Sequence, residues 1–143
     1  MIYFVIVNTI AIYLFPGGSL YDPTLTSYSF SENFFSDLGV YETVSGEQNF
    51  LSCFLFNSTL VMMGFACLSF ILVPRLFKDN KISYVCATIG SYIAMLSGLS
   101  FLGVGLTPAD LYFHEHVFFV IVGFRSMVPA MFFLTLAFFF SPV

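Results

Sequence analysis

Three apolar runs, at residues 50–73, 82–106 and 113–140, are separated only by short connections and carry almost no charge. At about 1.5 Å of rise per residue, each is long enough to cross a hydrocarbon core of about 30 Å as an α-helix. Composition points the same way: 59% of the chain is hydrophobic and 8% charged, whereas soluble domains carry about 25% charged residues. A membrane β-barrel would need short alternating segments, and these runs are continuous. The expected fold class is therefore all-α, a polytopic transmembrane helical bundle forming one domain over residues 1–143.

Residues 1–15 make a further apolar stretch, interrupted only by Asn8 and Thr9. It reaches about 22 Å, short of a bilayer core. It has neither a positively charged leader nor a small-residue cleavage site, so a short first span is expected rather than a signal peptide. Pro16-Gly17-Gly18 ends it, which gives about four spans and one long polar loop, residues 16–49. Within that loop Phe30, Phe34, Phe35 and Leu38 recur at helical spacing, and Gly39 follows as a left-handed stop. The pattern predicts a short amphipathic helix.

Charge placement sets the expected topology. Arg75, Lys78 and Lys81 cluster in residues 74–81, while seven of the eight acids lie in the loop 16–49 and around residues 107–116. The positive-inside rule puts 74–81 on the cytoplasmic side, and 16–49 and 107–112 on the outer side. Nothing is basic enough to bind nucleic acid. Cys53, Cys67 and Cys86 fall within spans and read as buried thiols, not as disulfides or metal ligands. In the third run Ala87, Gly90, Ser91, Ala94, Ser97 and Gly98 form a stripe of small residues, the expected packing seam.

The polar residues inside or beside the spans are the candidates for function. Thr107, Pro108 and Asp110 read as a helix opening, with a cap, a proline at the first turn and a carboxylate at the positive end. Continued as a helix, Asp110, His114, Phe118, Ile121 and Arg125 share one face, and His116 points away. Arg125 and the nearby Pro129 interrupt the fourth span, and a charge at that depth is expected to find a partner. Asn57 in the second span wants a partner too, most simply an interhelical hydrogen bond. With Ser36 and Asp37 on the same side, these residues outline a pocket with a carboxylate rim and an arginine floor, suited to a lipid head group. A metal site built from Asp37, Asp110, His114 and His116 is the rival. Its two histidines diverge at i and i+2, and the zinc-helix spacing is absent. No serine lies in a nucleophile motif.

Asn33-Phe34-Phe35-Ser36-Asp37-Leu38-Gly39 after a Pro-Gly-Gly loop, Phe56-Asn57-Ser58-Thr59-Leu60 with Gly64, and Gly103-x-Gly105-Leu-Thr-Pro followed by His114 resemble the prokaryotic membrane family catalogued as domain of unknown function 998. The order of these features is also similar to the eukaryotic Frag/DRAM/Sfk membrane proteins, implicated in lipid remodelling and autophagy. The resemblance covers most of residues 16–125. It implies a helical membrane fold with an outer-side cluster of Ser36, Asp37 and His114, and it supplies no activity. Those families usually have about six spans, so a shortened member or part of a longer product is expected.

The leading expectation is an integral membrane protein without a cofactor that binds a lipid head group through Ser36, Asp37, Asn57, Asp110, His114 and Arg125, with membrane lipids as its partners. An accessory subunit of a larger membrane complex is the alternative, and a metal-dependent lipid hydrolase is a further one.

Overall fold

The computed structural model describes residues 2–141; Met1, at the start of the expected first span, and Pro142 and Val143 lie outside them. Among the described residues the regular elements are helices, without a named strand: α1 is Ile2–Leu14, α2 Phe50–Cys67, α3 Lys81–Leu106 and α4 Phe113–Phe139. A ten-residue 3₁₀ segment, Leu68–Phe77, continues α2 and contains Pro74. By length and composition, three helical stretches are sufficient to cross a membrane, Phe50–Phe77, Lys81–Leu106 and Phe113–Phe139, whereas Ile2–Leu14 is shorter. The protein is thus a membrane-embedded helical protein.

Two expectations change in detail. The phenylalanine pattern in the long loop does not make an α-helix; the helical piece is a five-residue 3₁₀ helix, Phe35–Gly39. The fourth helix begins at Phe113, later than Thr107 and Pro108 suggested, because residues 107–112 form a turn in which the N–H groups of Leu111 and Tyr112 donate to the Pro108 carbonyl.

The chain divides into two compact units. The first joins Met1–Val61 with Val104–Val117. Its core is Ala11, Phe15, Leu38 and Phe56, with Ile12, Tyr28, Leu55 and Leu60 packed around them. Asn8 of α1 donates to the Thr59 hydroxyl of α2 at 3.2 Å, an interhelical bond of the kind that holds polar residues in apolar surroundings. The loop leaves α1 through Gly17 and Gly18, whose φ angles of 117° and 77° favour glycine.

The second unit joins Met62–Gly103 with Phe118–Val143. Here α3 is flanked by α2 and α4, and the small residues are where they touch. A Cβ on Gly98 would lie 2.2 Å from Cys67 Cβ, and one on Gly64 would lie 2.7 Å from the Gly98 carbonyl oxygen. On the other flank, a Cβ on Gly90 would lie 3.0 Å from the Leu134 nitrogen. Ser97 donates to the Gly123 carbonyl at 2.8 Å. Close backbone approach with a few hydrogen bonds is how helices associate where lipid removes the hydrophobic drive between them. Gly98→Val should accordingly lose about 1–3 kcal/mol to overpacking, read as a lowered unfolding midpoint in detergent; an unchanged midpoint would mean that α2 and α3 do not meet there.

Candidate functional site

Asn49, Ser52, Cys53, Phe56 and Asn57 recur at spacings of three and four, so the start of α2 carries one stripe rich in hydrogen-bonding side chains. Its targets are three consecutive loop carbonyls. Asn49 Nδ2 donates to Leu38 at 3.2 Å and to Val40 at 2.9 Å, and Ser52 Oγ donates to Leu38 at 3.3 Å. Gly39 receives Cys53 Sγ at 3.3 Å and Asn57 Nδ2 at 3.0 Å. All four donors are buried, where an unpaired carbonyl would cost about 1–3 kcal/mol.

Phe56 fills the centre of the stripe, with its ring edge-on to Phe35 at 5.2 Å between centroids. This explains Gly39. Its φ is not positive, so it is not a left-handed stop; instead a Cβ there would lie 2.8 Å from the Phe56 ring and 3.0 Å from Asn57 Oδ1.

Each residue expected to form the rim has a definite place. Asp37 Oδ2 accepts the Phe34 N–H at 3.0 Å and Asn33 Nδ2 at 3.1 Å, closing the 3₁₀ turn. Asn33 also donates to the Gly18 carbonyl at 2.8 Å, which ties the turn to the end of α1. Ser36 is exposed. Asp110 accepts the Tyr41 N–H on both carboxylate oxygens at 3.0 Å, and the Glu42 N–H at 2.9 Å. It therefore anchors the far end of the loop rather than decorating the start of α4.

The two histidines differ. His114 is exposed and has its ring against Phe113. His116 Nδ1 lies 2.6 Å from the Thr107 carbonyl oxygen, which requires the proton on Nδ1. Sequence reasoning preferred His114, yet it is His116 that engages the backbone just past α3.

Asp37, Asn57, Asp110 and His116 thus form a set of backbone clasps, with their polar atoms turned onto carbonyls and N–H groups of residues 33–42 and Thr107. Among the described residues, no three His, Cys, Asp or Glu side chains converge as a metal shell would require.

Arg125 belongs to the second unit and is exposed. The rest of its expected stripe is exposed with it: Phe118 at 61% and Ile121 at 43%. The buried side of α4 is Gly123, Ser126, Ala130 and Ala137, because only small residues allow α3 so close. The bulky stripe is left outside.

Comparison with known proteins finds no matching protein family, no characterised relative and no matching solved structure.

Three outcomes test this geometry. Asn57→Ala, which strips a donor from the buried Gly39 carbonyl, should cost about 1–3 kcal/mol and open residues 16–49 to protease. Protection equal to the unaltered protein would contradict the clasp. Asp110→Asn retains one acceptor oxygen but loses the charge and the second acceptor. It should speed amide hydrogen exchange at Tyr41 and Glu42 and leave α1 unaffected. Burial raises the Tyr28 phenol above its ordinary value near 10.0, and the charge of Asp37 adds to this. The stability contributed by this group is therefore full below the ordinary tyrosine range and is lost as pH rises through the raised value. The difference absorbance titration between the protein and Tyr28→Phe should show a phenol ionising later than exposed tyrosines.

Proposed function

We propose that the protein is a multi-pass integral membrane subunit that holds a lateral helical partner against α4. Residues 74–81 lie on the cytoplasmic side, and 16–49 and 107–112 on the outer side. The observation that carries this reading is Arg125. It sits near the middle of the 27-residue α4, about 18 Å along the axis from Phe113, among exposed Phe118, Phe124 and Val128. An arginine at the centre of a lipid-facing helix costs about 2.5–3.5 kcal/mol even on the most lenient scale. Pro129, four residues later, has no N–H to give the Arg125 carbonyl, so this position presents both a cation and an acceptor.

Among the described residues the α-helices contain a single acid, Glu115, about 15 Å from Arg125 along α4. A carboxylate at the right depth must come from elsewhere, and a second copy meeting this face would oppose arginine to arginine. The fitting partner is a transmembrane helix bearing Asp or Glu at mid-bilayer depth. Lipid head-group binding at the outer cluster draws less support, since Asp37, Asn57 and Asp110 are already bound to backbone. We also propose kinship with the domain of unknown function 998 family; the pairing of the Asn33 to Gly39 motif with Asn57 gives a physical reason for those motifs to occur together.

A photo-crosslinker at position 128, followed by sequencing of the captured peptide, tests the reading. An apolar segment with an acid is expected, and Arg125→Leu should abolish the crosslink while leaving the isolated protein as stable or more so. Crosslinks only to lipid, or only to another copy of the chain, would sink it.

A further inference from the structure

A second polar feature lies away from the clasps and from the exposed face of α4. Between the 3₁₀ segment Leu68–Phe77 and α3 runs a cleft of about 150 Å³, lined by Ile71, Pro74, Arg75, Tyr84, Thr88, Ser91, Tyr92 and Met95. We propose that it binds the phosphate head of an anionic phospholipid.

The lining is ordered along the cleft. On each element the residue nearest the connecting loop is polar, Arg75 on one side and Tyr84 on the other, and the farthest is apolar, Ile71 and Met95. An amphiphile entering from the membrane surface meets donors first and hydrocarbon after. Arg75 supplies a guanidinium, whose planar fork suits phosphate oxygens, and Tyr84 and Tyr92 supply hydroxyls. Ser91, also in the lining, is buried, and its hydroxyl has no hydrogen-bond partner among the described residues.

Electrostatics select the sign of the ligand. Arg75, Lys78 and Lys81 are three of the four basic residues in the chain, against the one nearby acid Asp79. Basic pockets between transmembrane helices near the cytoplasmic surface are a recurrent way of holding anionic head groups. Volume selects how much of the ligand is held. Pockets that enclose a whole small molecule measure about 300–1,000 Å³, so this cleft takes the head alone. The acyl chains then pass Ile71 and lie outside, against exposed Ile89 and Leu96.

The test is native mass spectrometry of the full chain released from bilayers of equal dioleoylphosphatidylglycerol and dioleoylphosphatidylcholine, beside lipid-free micelles given inorganic phosphate. Phosphatidylglycerol adducts should exceed phosphatidylcholine adducts by about fivefold, the preference that about 1 kcal/mol from one basic side chain provides. Arg75→Gln should bring the two to parity, whereas Lys78→Gln, outside the cleft, should leave the preference in place. Tyr92→Phe, which removes only a hydroxyl, should lower the phosphatidylglycerol adduct itself, and this variant decides the matter if Arg75→Gln does not fold. An unchanged preference in the folded Arg75 variant, or equal losses on neutralising Arg75 and Lys78, would overturn the cleft in favour of a diffuse basic surface. Inorganic phosphate binding without any lipid preference would overturn the lipid.

Discussion

Three successive carbonyls, those of Leu38, Gly39 and Val40, are bound by side chains from one stripe at the start of α2. The first unit depends on this contact. Between α1 and α2 the chain has no helix longer than five residues, so its backbone groups cannot satisfy one another as those of a helix do. Leaving them unpaired beside Leu38 and Phe56 would cost about 1–3 kcal/mol for each buried group. The donors on α2 solve this, and they also set where the loop lies: Leu38 enters the core, Phe35 meets Phe56, and Asp110 takes the N–H groups of Tyr41 and Glu42 just beyond. Amide, hydroxyl, thiol and carboxylate all serve one end, the seating of an irregular segment.

In the second unit the constraint is volume. Gly64 and Cys67 meet Gly98 on one flank of α3, and Gly90 meets Leu134 on the other. Once the small residues of α4 are committed to this approach, its large ones have only the opposite side. The same choice that packs the helices therefore displays Phe118, Ile121 and Arg125.

Much of this was legible in the sequence, for reasons that can be named. Long apolar runs specify helices because lipid offers the backbone no other partner, and the stripe from Ala87 to Gly98 reads as a seam because only small side chains permit close approach. Less legible was the role of each polar residue. Asp110 follows a threonine and a proline as a helix-capping carboxylate would, yet its partners are about 70 residues away in sequence, at Tyr41 and Glu42. Local pattern carries no information about such a partner. The stripe of Asn49, Ser52, Cys53 and Asn57 was available as polar residues at helical spacing opening an apolar run, but Asn57 alone stands out when depth in the bilayer is the criterion. For Arg125, the expectation of an inward charge gave way to the smaller neighbours at Gly123 and Ser126, which take the inward side.

The 3₁₀ segment after α2 has a consequence for reach. A 3₁₀ helix rises about 2.0 Å per residue against about 1.5 Å for an α-helix, so ten residues extend about 5 Å further than an α-helix of the same length. Side chains three apart then stand in register, which aligns Ile71 with Pro74 along one edge. The chain thus gains span length without adding apolar residues, and it carries Arg75 outward along the helix axis by most of one α-helical turn. A helix that changes its pitch near its end sets the height at which its first cation emerges.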